Sequence, residues 1–149
     1  MNRHLRNALA FVAGFVVGSV VNMAIVQLGS IVVPPPGGVD VNSVESISRA
    51  MEQGLYEFRH FVPPFLAHAV GTLVAATVTF QLAETAKSAL TWGIGALFLL
   101  GGIVAATLIP APGWFIAADL LLAYLPMAWL AIGLSARQGR AAPAPGPAG

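Results

Sequence analysis

The stretch at 88–109, SALTWGIGALFLLGGIVAATLI, carries no charged side chain and is about as long as a helix needs to cross the hydrocarbon core of a bilayer. It is a membrane span, and three further apolar runs, at 8–33, 61–83 and 114–134, make the chain an all-α, four-helix transmembrane bundle. Composition agrees. Of 149 residues 57% are hydrophobic and only 9% charged, whereas charged residues make up about a quarter of a soluble domain; mean hydropathy is +0.80. The single membrane domain, 1–134, leaves no room for a separate soluble catalytic domain. Seven basic residues against six acidic give a formal charge of +1, without the concentrated basic face that a nucleic-acid partner requires. The absence of cysteine excludes disulfides, thiolate metal sites, a cysteine nucleophile and lipidation on cysteine.

Arg3, His4 and Arg6 precede the first run. A signal peptide has a hydrophobic region of about 7–15 residues that ends at a small-x-small cleavage site; this run is far longer and shows no convincing site, so it reads as an uncleaved span. Within it Gly14 and Gly18 are four residues apart and Asn22 continues the spacing. Small residues so placed let another helix approach closely in lipid, although glycine is also simply commoner in membrane helices. Pro34-Pro35-Pro36-Gly37-Gly38 terminates the span, because proline lacks the amide a helix needs.

Asn42, with Glu45 three residues on, resembles a capping box. Val44, Ile47, Met51, Leu55, Phe58 and Val62 then recur at steps of three or four, which predicts an amphipathic helix over 43–60 lying on the membrane surface or over the mouth of the bundle. Its polar face is acidic, so attraction to anionic lipid does not hold it there. The second span follows, with Pro63 and Pro64 in its first turn, where missing amides cost little. His68, Thr72, Ala75 and Thr79 share one of its faces, a polar and small-residue stripe that should meet other helices.

The third span carries Gly93, Gly95, Gly101, Gly102, Ala105 and Ala106. So much small surface predicts the closely packed centre of the bundle, with Gly101 and Gly102 among the packing residues. Trp114 opens the fourth span at headgroup level. Pro126 inside that span frees the Leu122 carbonyl and predicts a kink. The segment 135–149, basic at first and then rich in Pro, Ala and Gly, reads as a disordered cytoplasmic tail.

Four spans put both termini on one side. With Arg3, Arg6, Lys87, Arg137 and Arg140 there and only Arg49 and Arg59 opposite, the positive-inside rule makes the termini cytoplasmic and the amphipathic helix extracytoplasmic. At about 1.5 Å per residue, His68 and Asp119 lie roughly 10 and 8 Å down from the outer surface, at depths where they could meet. A carboxylate in lipid faces the bundle interior or a wet cavity, and imidazole is a suitable partner that titrates near neutral pH. Gln27 lies at a similar depth but about 140° around the helix from Asn22 at 100° per residue, so joining the same cluster requires the first span to be packed on two sides.

His68 and Asp119, with Gln27 and Thr72 nearby, thus form a candidate intramembrane polar site. One reading is a proton-coupled site or the lining of a small-ligand cavity open to the outside. The other is a hydrated Asp119 and a His68 that merely bonds a neighbouring helix. No nucleophile completes a triad, the ligands fall short of a metal site, and no phosphate loop, dinucleotide signature or HExxH is present. Neither an enzyme nor a cofactor is implied.

The segments PPPGGVD, PPFLAHAVGTLVAA, LFLLGGI and PAPGWFIAADLLLAYLPMAWL together resemble a family of small bacterial four-span integral membrane proteins with no assigned activity. The resemblance covers most of 34–134 and implies a multi-pass protein of the bacterial inner membrane; it transfers no catalytic residue. The chain is expected to be an interaction or accessory component, with the bilayer, copies of itself or other membrane proteins as partners. The alternatives are a small proton-coupled transporter or channel using His68 and Asp119, and a membrane enzyme acting on lipid.

Overall fold

The computed structural model of the chain describes residues 2–141. Every described element is helical: α1 (Arg3–Val32), α2 (Val44–Glu52), a 3₁₀ turn (Phe58–Phe61), α3 (Val62–Leu82), α4 (Lys87–Leu108), α5 (Gly113–Leu122) and α6 (Leu125–Ala141). Four stretches, Arg3–Val32, Phe58–Leu82, Lys87–Leu108 and Gly113–Gln138, are long and apolar enough to cross a membrane. Hydrocarbon offers backbone groups no water, and a helix satisfies them within its own segment.

The centre of the bundle is α3, not the glycine-rich third span. It contacts α1, α4, α5 and α6 and buries Ala67, Ala69, Gly71, Thr72, Ala75, Ala76 and Thr79. On α4 only Thr91, Ile94, Gly95 and Gly102 are buried, because its small residues are spread around the helix. Consecutive residues point about 100° apart, so Gly101 and Gly102 cannot both face inward. A methyl group on Gly101 would meet nothing within 4 Å, and among the described residues Gly101 therefore packs against no other helix.

The closest helix pair is α1 with α3. A Cβ on Gly14 would lie 2.6 Å from the Ala75 carbonyl oxygen, and one on Gly18 2.7 Å from that of Gly71. Asn22 continues the contact, its Cβ 2.9 Å from where a Cβ on Gly71 would sit. At one end of this seam Asn7 accepts the amides of Glu84 and Thr85, at 3.0 and 3.2 Å, and donates to the Thr85 hydroxyl at 2.8 Å. One side chain thereby fixes the turn between α3 and α4. Deeper in the bundle Ala75, Ala76, Ile94, Ala128 and Ala131 are fully buried, a core of mostly small side chains that lets the helices lie close.

The helix expected over 43–60 is shorter and starts one residue later. Ser43 is the N-cap, its hydroxyl accepting the Ser46 amide at 3.2 Å, while the Asn42 amide donates to the Asp40 carboxylate at 2.9 Å. α2 stops at Glu52 because Gly54 adopts φ +68°. Its amide donates to the Met51 carbonyl and that of Leu55 to the Ala50 carbonyl, both at 3.0 Å; this is the paired bonding of a Schellman cap. The apolar spacing runs on through Leu55 and Phe58, but the backbone does not.

The fourth span is broken. α5 closes with the Ala123 amide on the Asp119 carbonyl at 2.9 Å, and α6 opens with the Ala128 amide on the Tyr124 carbonyl at 3.0 Å. Pro126, with no amide to give the Leu122 carbonyl, forces the interruption. α6 then continues through Ala141, so 135–141, expected to belong to a disordered tail, are helical, and Ser135 is buried. The remaining tail expectation, for 142–149, lies outside the described residues.

Candidate functional site

His68 enters the bundle from the second turn of α3, whose start is set by Pro63 and Pro64 in the first turn. Asp119 comes from α5, which begins after the Pro110 to Pro112 turn. Nδ1 of His68 lies 2.8 Å from Oδ1 and 3.0 Å from Oδ2 of Asp119. A third residue joins them. The Tyr124 hydroxyl donates to Asp119 Oδ2 at 3.0 Å, and its ring stacks on that of His68, centroids 5.7 Å apart at 29°. Asp119 is only 5% exposed, whereas the His68 side chain retains 24% exposure.

Tyr124 is the residue that sequence reasoning misses. On a straight helix it would point about 140° away from Asp119, five residues earlier. The break forced by Pro126 brings it back over the carboxylate. Gly102 on α4 makes room for it, since a Cβ there would sit 2.5 Å from the Tyr124 Cζ. This glycine seats the Tyr124 ring rather than merely letting two helices approach. Pro126 predicts that residues around it will not keep helical spacing, but not which of them turns towards Asp119.

The other candidates fall elsewhere. Gln27 is on the exposed flank of α1, where its amide reaches the Met23 sulfur at 3.8 Å; α1 packs on the glycine side only, which leaves Gln27 outside the cluster. Thr72, one turn from His68, is fully buried, and its hydroxyl has no partner. Among the described residues no three His, Asp or Glu side chains are grouped to hold a metal ion.

Above the His68 and Asp119 pair lies a cavity of about 350 Å³. Its walls come from one end of every spanning helix: Val26, Gly29 and Ser30 of α1, Pro63 and Pro64 of α3, Ala105 and Ala106 of α4 with Ile109 just past its end, Phe115 and Ile116 of α5. Ile47 and Met51 of α2, with Tyr56 and His60, close its outer side. Burial raises the Tyr56 phenol above its ordinary range. The cap is tied down by aromatic contacts: Phe58 stacks on Trp114 at 5.4 Å, and Phe61 packs on Trp114 and Phe115 at 5.3 and 5.0 Å. His60 Nδ1 accepts the Glu57 amide at 2.9 Å, which holds the 3₁₀ turn. Beyond Asp119 the space is taken by the alanine-rich core, so the cavity serves one end of the bundle and does not traverse it.

With Asp119 ionised, its carboxylate accepts from both neighbours; Nδ1 of His68 then carries the hydrogen, and Nε2 is the atom left for anything in the cavity. The chemistry available at the base is hydrogen bonding at one nitrogen, in a mostly apolar space whose wall also carries Ser30, Tyr56 and His60. Tyr124→Phe, which removes one donor to a buried carboxylate, is expected to cost about 1.5 kcal/mol. Thermal melts of the variant and parent in one detergent check this; equal midpoints would mean that the hydroxyl carries no net bond. No protein-family model, curated protein or solved structure matches the chain.

Proposed function

We propose that the protein is a multi-pass component of the bacterial inner membrane that binds a small membrane-soluble molecule in its capped cavity, as a ligand-binding accessory protein rather than a self-contained channel. The observation that carries this reading is the His68, Asp119 and Tyr124 cluster at the base of an apolar cavity of about 350 Å³. Pockets for small ligands are of this kind, mostly apolar with a few convergent polar groups. The five-to-two division of basic residues supports cytoplasmic termini and, with them, an extracytoplasmic α2 and cavity. The filled core beneath Asp119 weighs against a transport pathway within one chain.

The test is occupancy. Protein extracted from bacterial membranes in mild detergent and released intact in a mass spectrometer is expected to carry one small apolar adduct. Ala106→Phe, which places a ring in the cavity, should lose it while the chain remains folded. An adduct-free parent, or an adduct that Ala106→Phe retains, would count against a ligand cavity.

A further inference from the structure

The geometry points to a quinone-type ring as the molecule that this cavity takes, bound by a hydrogen bond between a ring oxygen and Nε2 of His68; this rests on the cavity reading above. Asp119 has little left to offer a ligand. It is 5% exposed, both its oxygens lie against His68 Nδ1, and Oδ2 also accepts from Tyr124. Among the described residues, the buried side-chain nitrogen and oxygen atoms left without a partner are the hydroxyls of Thr72, Thr79 and Ser135. Nε2 of His68 is not among them, although it has no partner among the described residues, so it is open to the cavity that His68 lines.

That nitrogen has two states and one geometry. With Nδ1 held by the carboxylate, Nε2 accepts a hydrogen bond in the neutral imidazole and donates one in the imidazolium. A quinol hydroxyl matches the first state and a quinone carbonyl the second, at the same ring position. A lipid alcohol also matches both states, and it is the aromatic walls that favour a flat ring over it; charged ligands match one state only. An ammonium would be repelled by the imidazolium, and a fatty-acid carboxylate has no hydrogen to give the neutral ring. Shape and access agree. Tyr56, Phe61 and Phe115 supply aromatic walls suited to a flat ring, and about 350 Å³ lies at the small end of ligand pockets, which run from about 300 to 1,000 Å³. This suits a ring with the start of a tail. Val26 lines the cavity and is 37% exposed, so the rim reaches the flank of α1 from which a molecule dissolved in lipid would enter.

The experiment uses the full chain, labelled with ¹⁵N-histidine, in phosphatidylcholine nanodiscs. Short-tailed benzoquinone, then its quinol, is titrated while the Nε2 resonance of His68 is followed. Saturable shifts at one ring per chain are expected for both forms, absent in Ala106→Phe; in His68→Gln, equilibrium dialysis of radiolabelled quinone or quinol should require at least tenfold more ligand for half-occupancy. A shift that grows linearly with added quinone, as partition into lipid would give, overturns the assignment. So does binding that both variants retain, or saturation by palmitate or a long-chain amine in place of either ring. If the quinone fails while extracted protein still carries an adduct that Ala106→Phe loses, the cavity stands and the quinone class falls. If that adduct is missing as well, both readings fall.

Discussion

Gly18→Leu is expected to destabilise the folded bundle by about 3 kcal/mol, the upper end of the range for overpacking, while Gly101→Leu should leave it within about 0.5 kcal/mol, as at an unconstrained surface position. Both change the same residue type to the same bulky one inside a membrane span, so lipophilicity and helix propensity cancel in the comparison. What differs is the neighbour. A Cβ on Gly18 would stand 2.7 Å from the Gly71 carbonyl oxygen, a backbone atom that moves only if α1 and α3 separate, whereas one on Gly101 meets nothing within 4 Å. Separating these helices would also open the line that continues through Gly14 and Asn22, because small residues let the backbones touch and the gain is packing along the whole seam. Thermal unfolding of the two variants beside the parent, in one detergent, decides the matter. Equal midpoints for Gly18→Leu and the parent would mean that the α1 and α3 seam contributes nothing to stability.

The same contrast shows which features the sequence could express. Residues 14, 18 and 22 fall on one face by spacing alone, and the structure puts that face against α3. Gly101 and Gly102 are adjacent, and spacing cannot say which of the two looks inward. That depends on where Tyr124 arrives from the break between α5 and α6. Pro126 announced a broken fourth span but not the rotation that the break produces, and that rotation aims the Tyr124 hydroxyl at Asp119. The meeting of His68 with Asp119 could be anticipated only as similar depth, since depth comes from counting residues while contact depends on how two helices are turned. Over 43–60 the apolar period concealed the stop at Gly54: side-chain spacing persists through a backbone that has already left the helix. The small-residue content of 88–109 misled in another way. Small residues allow close packing wherever they face a helix, but many of those on α4 do not, and the centre went to α3, whose alanines and threonines face neighbours on several sides.

His68→Ala is expected to cost about 3 kcal/mol, the lower end of the penalty for removing one member of a buried pair. The value falls there because His68 keeps 24% of its side chain exposed, so water entering the cavity can replace part of what the imidazole supplied, and because Tyr124 still donates to the carboxylate. Asp119→Asn should cost less, about 1 kcal/mol, since the amide removes the buried charge but keeps an oxygen for the Tyr124 hydroxyl. The order of these two effects identifies the dominant force. If the pair is held by the need to compensate Asp119, then adding Asp119→Asn to His68→Ala should restore stability, and the double variant should melt above the single His68→Ala variant. Two isolated hydrogen-bonding side chains would instead give costs that add. Melts of the parent, both single variants and the double variant in one micelle complete the cycle. Rescue in the double variant would locate the cost in an uncompensated carboxylate beside the cavity; simple addition would mean that Asp119 is already satisfied by Tyr124 and water, leaving His68 free of a structural duty at that site.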